Sequence, residues 1–176
     1  MLFRSVGKYV YDNKLTRKKV IDVETKSGIR SLYLKTEYDE VKEVIVDMGI
    51  PMDHNNSLLD NNIFYKLKIG NKEIEVMNIS MGNPHTIMFV DELNDDLVNN
   101  LGPLIQNNNL YKNKTNVEFV KIIDKNNIAL KVWERGVGNT LACGTGAVAS
   151  VVAGVINNQL DNNCNVYLEK GILKIF

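Results

Sequence analysis

Residues 133–147 run Trp-Glu-Arg-Gly-Val-Gly-Asn-Thr-Leu-Ala-Cys-Gly-Thr-Gly-Ala. The small apolar residues that follow, from Ala147 to Ile156, predict a buried helix. Cys143 therefore lies at the N-terminus of this helix, beside glycines that let backbone N–H groups approach a ligand. Because the helix N-terminus favours negative charge, we expect it to lower the pKa of the thiol and to hold a substrate carboxylate. The alternative is that Cys143 is a small buried residue that starts a core helix.

Two other polar clusters are candidates for the same site. The first is Gly82-Asn83-Pro84-His85, in which the histidine could exchange a proton near neutral pH and the Asn83 amide could bind a polar substrate. The second is Thr115-Asn116-Val117-Glu118-Phe119, where Asn116 stands at the entrance of a predicted strand. Taken alone, each cluster is also consistent with a turn. His54 and Cys164 are expected to be structural or surface residues.

The bulk composition excludes several classes of partner and site. The chain has 176 residues, 44% of them hydrophobic, and 21 basic residues balance 21 acidic ones, which leaves no field to hold nucleic acid or an anionic membrane. No apolar run approaches the roughly 20 residues that span a bilayer, and the first residues lack a signal peptide, so we expect a cytoplasmic location. The two cysteines form no C-x-x-C pair, which argues against a zinc site or a disulfide framework.

The order of predicted elements changes along the chain. The first part has a short amphipathic helix followed by strands, and we predict these elements at 4–13, 20–25, 29–34, 41–46, 64–70 and 72–79. After Met81 the pattern mixes strands and helices, with elements predicted at 86–90, 93–102, 117–123, 128–133, 147–156, 165–169 and 172–176. We therefore expect two lobes, residues 1–79 and 80–176, in an α/β (α+β) fold.

A weak internal repeat supports two related lobes. When Leu15 is aligned with Leu160, an offset of 145, each copy shows a helix, a linker, a strand, a turn with glycine and another strand. In the second copy a loop with Cys143 precedes the helix. At the same offset, the equivalent loop of the first copy would fall before Met1.

The combined motifs resemble the diaminopimelate epimerase family. They are Gly82-Asn83-Pro84-His85, Thr115-Asn116-Val117-Glu118-Phe119, Glu134-Arg135-Gly136 and Ala142-Cys143-Gly144-Thr145-Gly146-Ala147, in that order and spacing. The resemblance extends over the whole chain, because Arg4 to Asp12 is similar to the helix that follows the family's first cysteine loop. It implies two pseudo-symmetric lobes, each a curved β-sheet around a central helix, with the active site between them.

The resemblance also implies a reaction. The family interconverts LL- and meso-2,6-diaminopimelate in lysine and peptidoglycan precursor synthesis, using two cysteines on opposite faces of the substrate and neither a cofactor nor a metal. Fixed donors and helix N-termini must then stabilise the carbanion in a dry site. By resemblance, Cys143 is one acid/base, and His85 and Glu134 tune the thiols.

The same resemblance assigns the substrate contacts. Gly144 and Thr145 would grip the α-carboxylate, while the distal amino-acid end would be held by Asn83, Asn116 and Arg135. Glu134 is also among the substrate-binding residues that the resemblance implies. Small-molecule diaminopimelate is then the binding partner, with a homodimer or a missing N-terminal fragment as the protein partner.

This sequence departs from the family pattern at both ends. The Cys-Gly-Asn-Gly loop that introduces the first helix is absent, so the opposing cysteine is missing, and Phe176 ends the chain before the family's last strand. We therefore expect an incomplete first lobe, impaired catalysis and a marginally stable or aggregation-prone product. Two alternatives are a non-catalytic or split fragment that needs an N-terminal piece, and a proline or hydroxyproline racemase-like enzyme.

Overall fold

The computed structural model describes residues 2–25, 28–53, 57–59 and 63–176. The helices in these ranges are α1 (Leu2–Asp12), α2 (Asp95–Gln106) and α3 (Gly144–Ile156). The strands are β1 (Val20–Thr25), β2 (Gly28–Glu37), β3 (Glu40–Val46), β4 (Phe64–Ile69), β5 (Lys72–Ser80), β6 (Pro84–Phe89), β7 (Asn116–Asp124), β8 (Asn127–Glu134), β9 (Gly138–Thr140), β10 (Cys164–Leu168) and β11 (Gly171–Ile175). His54, and Lys26 and Ser27 of the first predicted turn, lie outside the described residues.

The chain forms two compact units, Met1–Gly49 and Ile50–Phe176. The first contains α1 and an antiparallel sheet in the order β1-β2-β3. Leu32 and Leu34 alternate along β2, so both point to the face that α1 covers, and they form a core with Tyr11 and Val41. The amphipathic helix and the strands predicted for this part are confirmed.

The second unit contains a mixed sheet in the order β11-β10-β8-β7-β6-β5-β4, with β9 paired to β8. Two neighbouring pairs are parallel, β6 with β7 and β8 with β10, and the other pairs are antiparallel. The hairpin predicted around Gly70 is confirmed as β4 and β5. A parallel pair needs a crossover, and α2 lies in the crossover between β6 and β7.

The helices α2 and α3 lie on opposite faces of this sheet. Phe119 of β7 packs with Val98 and Ile105 of α2 in a buried cluster. The next side chain along the strand, Glu118, instead lies against Gly146 in the first turn of α3. Since successive side chains of a strand point to opposite faces, β7 is covered by α2 on one side and by α3 on the other.

The fold class expected from the sequence is confirmed as α+β with mostly strands. Each unit contains a helix followed by an antiparallel hairpin, α1-β1-β2 in the first and α3-β10-β11 in the second, which agrees with the internal repeat. The compact units divide at residues 49 and 50, whereas the lobes expected from sequence divide at residues 79 and 80. None of the helices in the described ranges is long and apolar enough to cross a bilayer.

Candidate active site

Cys143 is the N-cap residue of α3, as its sequence context predicts. Its backbone is extended, with φ −129° and ψ 116°, and its Sγ accepts a hydrogen bond from the backbone N–H of Gly146 at 3.4 Å. The side chain is almost completely enclosed, since only 9% of the residue is exposed. The helix therefore begins with a buried sulfur in place of the usual serine, threonine or aspartate oxygen.

The pKa of Cys143 is shifted in the direction opposite to the one expected from the sequence. The pKa of the thiol is raised to about 11, first by burial and then by the negative charges of Glu118 and, more weakly, Glu134, while hydrogen bonds from Thr145 and Gly146 oppose the shift. The expectation of a lowered pKa was wrong because desolvation and two carboxylates outweigh the helix N-terminus. At neutral pH Cys143 is a thiol.

His85 and Glu118 form a buried pair next to this thiol. The Nδ1 of His85 lies 2.6 Å from the Oε1 of Glu118, and both side chains are fully enclosed. The parallel register of β6 and β7 pairs His85 with Asn116, so Glu118, two residues later, points to the same face. Burial raises the pKa of Glu118, while the charge and hydrogen bond of His85 oppose that shift.

The three groups converge on one point. One nitrogen of His85, one oxygen of Glu118 and the Sγ of Cys143 all lie within 4.8 Å of one another. These are atom types that zinc binds, but the 2.6 Å separation within the pair is shorter than the ligand-to-ligand distance of about 3.3 Å in a tetrahedral zinc site. The arrangement therefore suits a shared proton.

Asn83 and Thr145 join the same cluster. The Nδ2 of Asn83 donates to the Oγ1 of Thr145 at 3.3 Å, and that hydroxyl lies 3.4 Å from the Sγ of Cys143. The turn before Asn83 has Gly82 at φ +87°, a conformation that glycine adopts without strain. Thus two predicted substrate contacts on separate elements meet at the thiol, beside Gly144 at the start of α3.

Asn116 and Arg135 lie together at a second edge of the site. The amide of Asn116 donates to the backbone carbonyl of Pro84 and accepts from the backbone N–H of Arg135, both at 2.9 Å. Its side chain therefore links the start of β6 to the turn that follows β8. The guanidinium of Arg135 is exposed and donates to the carbonyl of Asn113 at 3.2 Å.

Glu134 stands at the end of β8, where the short strand β9 turns back on it. Its Oε1 accepts a hydrogen bond from the hydroxyl of Thr140 at 2.5 Å. This contact fixes the carboxylate, whose charge reaches Cys143. All eight residues that the sequence singled out lie in the second unit.

Glu118 is the residue that sequence reasoning missed. A carboxylate in a strand whose neighbours are all apolar is costly to bury, so it requires a partner. Because Asn116 and Glu118 are two residues apart, the strand period already placed Glu118 on the same face as Asn116. The partner, His85, became visible only through the parallel register of β6 and β7.

Comparison with known proteins identifies the family. The sequence profile described as diaminopimelate epimerase matches residues 77–176, which is more than half of the chain. The chain belongs to the diaminopimelate epimerase family. The resemblance recognised from the motifs is confirmed.

Curated diaminopimelate epimerases align with nearly the whole chain. The protein from Parabacteroides distasonis is 42% identical over 172 residues, which are 98% of this chain and 61% of that protein. The proteins from Halothermothrix orenii and Methanothermobacter thermautotrophicus are 41% and 40% identical, again over 98% of this chain and over 63% and 62% of theirs. The chain thus spans about three fifths of the length of these relatives.

Solved structures place the diaminopimelate epimerase-like chain in a wider fold group. A probable proline racemase from Agrobacterium radiobacter has a TM-score of 0.72 at 12% identity, and the match covers 92% of this chain and 53% of the racemase chain. A hydroxyproline epimerase from Agrobacterium vitis also has a TM-score of 0.72, at 10% identity, and the match covers 98% of this chain and 61% of the epimerase chain. At this identity the likeness establishes the fold.

Proposed function

We propose that this chain carries the Cys143 side of a diaminopimelate epimerase site, which interconverts the LL and meso isomers by proton exchange at one Cα. The observation that carries the proposal is the buried thiol at the N-terminus of α3, with His85 and Glu118 within 4.8 Å. The curated relatives that align with 98% of the chain are named diaminopimelate epimerase, which supports the proposal. Neither a cofactor nor a metal takes part in the proposed reaction.

The protonation state of Cys143 sets its role in the proposed reaction. With a pKa of about 11 it enters the reaction as a thiol, so it serves as the acid. A base on one face of the substrate breaks the Cα–H bond, and the electron pair remains on the carbon and its carboxylate. The S–H bond of Cys143 then breaks and its proton goes to the other face of Cα. In the reverse reaction the thiolate of Cys143 takes the proton back.

The carbanion is stabilised by the start of α3. Backbone N–H groups at Gly144 and Thr145 face the charge that develops on the α-carboxylate, and their position at a helix N-terminus favours that charge. Because Cys143 is buried, little water competes for those hydrogen bonds. His85 and Glu134 tune the thiols in this proposal.

The distal end of the substrate is assigned to Asn83, Asn116 and Arg135. The exposed guanidinium of Arg135 can bind a carboxylate through two parallel hydrogen bonds. Asn116 holds the start of β6 and the backbone of Arg135 in place through its two hydrogen bonds. Asn83 reaches the site beside Thr145. We expect specificity for diaminopimelate over shorter amino acids to arise here.

The setting of the reaction is also a proposal. We propose that residues 1–79 and 80–176 correspond to the two epimerase lobes, with the catalytic residues of this chain in the second. Both cysteines are free thiols and buried, which suits a reducing cytoplasm. The proposed protein partner is a second copy of the chain or an N-terminal fragment that supplies the opposing base.

The test is hydrogen exchange at Cα in D₂O. The purified chain is incubated with LL-diaminopimelate, and both loss of the Cα proton and formation of the meso isomer are followed. Exchange with inversion is expected if the chain or a copy of it supplies the second base, and exchange without inversion if Cys143 works alone. Cys143→Ser should abolish exchange. Cys164→Ser should not, because the thiol of Cys164 donates its hydrogen bond to the backbone carbonyl of Asn165 at the start of β10.

A substrate panel separates the proposal from the racemase alternative. L-proline and trans-4-hydroxy-L-proline should show no exchange under conditions where diaminopimelate does. Exchange of the cyclic amino acids alone would overturn the proposal. No exchange with any of them by folded protein would do so as well.

A further inference from the structure

Among the described residues, Glu118 is the one buried carboxylate, and the proposed reaction assigns it no role. It is fully enclosed in β7, and an unpaired charge there would cost several kcal/mol. It is hydrogen-bonded to His85, and its second oxygen, Oε2, has no hydrogen-bond partner among the described residues. The Nε2 of His85 is equally unpartnered and buried. A pair that served only to fill the core would be replaced at lower cost by apolar side chains.

The first turn of α3 is shaped to receive this carboxylate. A Cβ at Gly146 would overlap the Oε1 of Glu118 and come within 3.1 Å of its Cδ. Glycine at this position therefore lets the carboxylate reach the helix N-terminus, where the helix dipole favours negative charge. The same turn holds the Sγ of Cys143 through the N–H of Gly146.

Building on the function proposed above, we propose that Glu118 is a positioning residue for proton exchange at Cys143. Its carboxylate accepts the hydrogen bond of His85 through Nδ1, which leaves Nε2 as the ring atom that can take or give a proton. Its charge, close to the sulfur, keeps Cys143 in the thiol form until substrate binds.

The charge of Glu118 acts directly on the pKa of the Cys143 thiol. The charges that act on the sulfur are those of Glu118 on β7 and Glu134 at the end of β8. His85 on β6 lies within 4.8 Å of it, and α3 carries no titratable side chain. After burial, the charge of Glu118 is the largest influence that raises the pKa of the thiol. Removing that charge should therefore lower the pKa.

The tautomer of His85 decides whether its Nε2 can accept a proton. If Nδ1 carries the proton, Glu118 can be an ionised acceptor and Nε2 is left without a proton. A proton leaving Cys143 can then be taken up by the pair, forming an imidazolium beside the carboxylate, and no charge needs to leave the buried site. The opposite tautomer would place a proton on Nε2 and close that route.

The experiment compares Cys143 reactivity in Cys164→Ser protein, which has a single thiol. The rate of alkylation by iodoacetamide is measured against pH with and without Glu118→Gln. We expect the profile to move to lower pH by about one unit, so that alkylation at pH 8 becomes about tenfold faster. Glu118→Asp, which keeps the charge, should remain near the parent. Glu92→Gln, at an exposed site, is the matched control and should change nothing.

Nitrogen-15 NMR of the unmodified chain tests the tautomer without any variant of Glu118. The chain has only two histidines, so His54→Gln assigns the remaining signals to His85. We expect a protonated Nδ1 and an unprotonated Nε2. A proton on Nε2 would overturn the inference, as would a folded Glu118→Gln protein with the parent's alkylation profile.

The outcomes distinguish this inference from the proposed function. A shifted alkylation profile without any Cα exchange would leave Glu118 as the residue that sets the state of the thiol and would remove diaminopimelate as the substrate. Cα exchange with an unshifted profile would retain the epimerase proposal and reduce Glu118 to a packing role.

Discussion

The sulfur of Cys143 experiences two opposing influences at the level of single residues. The N-terminus of α3 and the hydrogen bonds from Thr145 and Gly146 favour a thiolate. Burial and the carboxylates of Glu118 and Glu134 favour the thiol. Because the helix dipole contributes only a fraction of a charge whereas desolvation acts on a whole one, the thiol form prevails.

The raised pKa of Cys143 predicts how stability depends on pH. An unfolded cysteine ionises near pH 9 and the folded one near pH 11, so the folded state holds its proton longer. The stability gained in this way is fully present below pH 9 and is lost as pH rises through 11, amounting to about 2–3 kcal/mol.

The measurement compares urea unfolding of the parent and of Cys143→Ala between pH 8 and 11. The difference in the free energy of unfolding should shrink by about 2–3 kcal/mol, while the titration of lysines and tyrosines cancels between the two proteins. A difference that stays constant over this range would show that the folded thiol ionises normally.

The sequence predicted the position of Cys143 in the candidate site but not its neighbour Glu118 or the direction of its pKa shift. Cys143 at the helix N-terminus followed from a run of small apolar residues, and that position is confirmed. Glu118 was not singled out, because its partner is 33 residues away and is brought to it by a parallel strand pair. The direction of the pKa of Cys143 was wrong because burial depends on neighbours that local sequence does not show.

At the level of elements, α2 illustrates how one missing side chain fixes the position of a helix. A Cβ at Gly102 would lie only 2.6 Å from Cγ of Trp133 on β8. The absence of that Cβ allows the helix to lie directly on the indole ring. Trp133 is the only tryptophan of the chain, so its fluorescence reports this contact.

Gly102→Ala should therefore destabilise the second unit. The overlap with Trp133 should cost about 1–3 kcal/mol, which exceeds the gain of at most about 1 kcal/mol from better helix propensity. Urea unfolding followed by Trp133 fluorescence measures the change. Asn100→Ala, at an exposed position of the same helix, is the control and should be neutral or slightly stabilising. A stabilised Gly102→Ala protein would contradict the packing.

The predicted helices and strands agree with the structure where the spacing of apolar residues within the element itself indicates its type. The predicted helix at 93–102 corresponds to α2, which continues past Pro103 to Gln106 because Ile105 is buried against the sheet. The glycine-rich segment 136–146, which lies between the elements predicted at 128–133 and 147–156, contains β9, and α3 starts at Gly144 within it. Three residues of strand and a glycine-rich helix start have no periodicity of their own, since pairing with β8 and packing of α3 decide them.

For the whole molecule, the first unit exposes apolar side chains beside an edge strand. Val20 on β1 is 51% exposed and Leu15 before it is 68% exposed. β1 is an edge strand of its three-stranded sheet, and an edge strand can pair with a strand of another chain.

We expect the chain to become turbid on heating, and Val20→Lys should raise the temperature at which turbidity begins by several degrees. A lysine on an edge strand opposes edge-to-edge association without removing buried area, because Val20 is half exposed. Light scattering and circular dichroism are recorded together, with Val20→Ile as the apolar control. A cooperative melt of the parent without turbidity would contradict the expectation.

The enclosure of Cys143 also governs how the site withstands oxidants. Hydrogen peroxide attacks thiolates, and a cysteine whose pKa is about 11 supplies a thiolate in only about one molecule in ten thousand at pH 7. An ordinary exposed cysteine presents a few per cent, so it forms sulfenic acid far sooner. The same burial that keeps Cys143 in the thiol form thus also slows its oxidation.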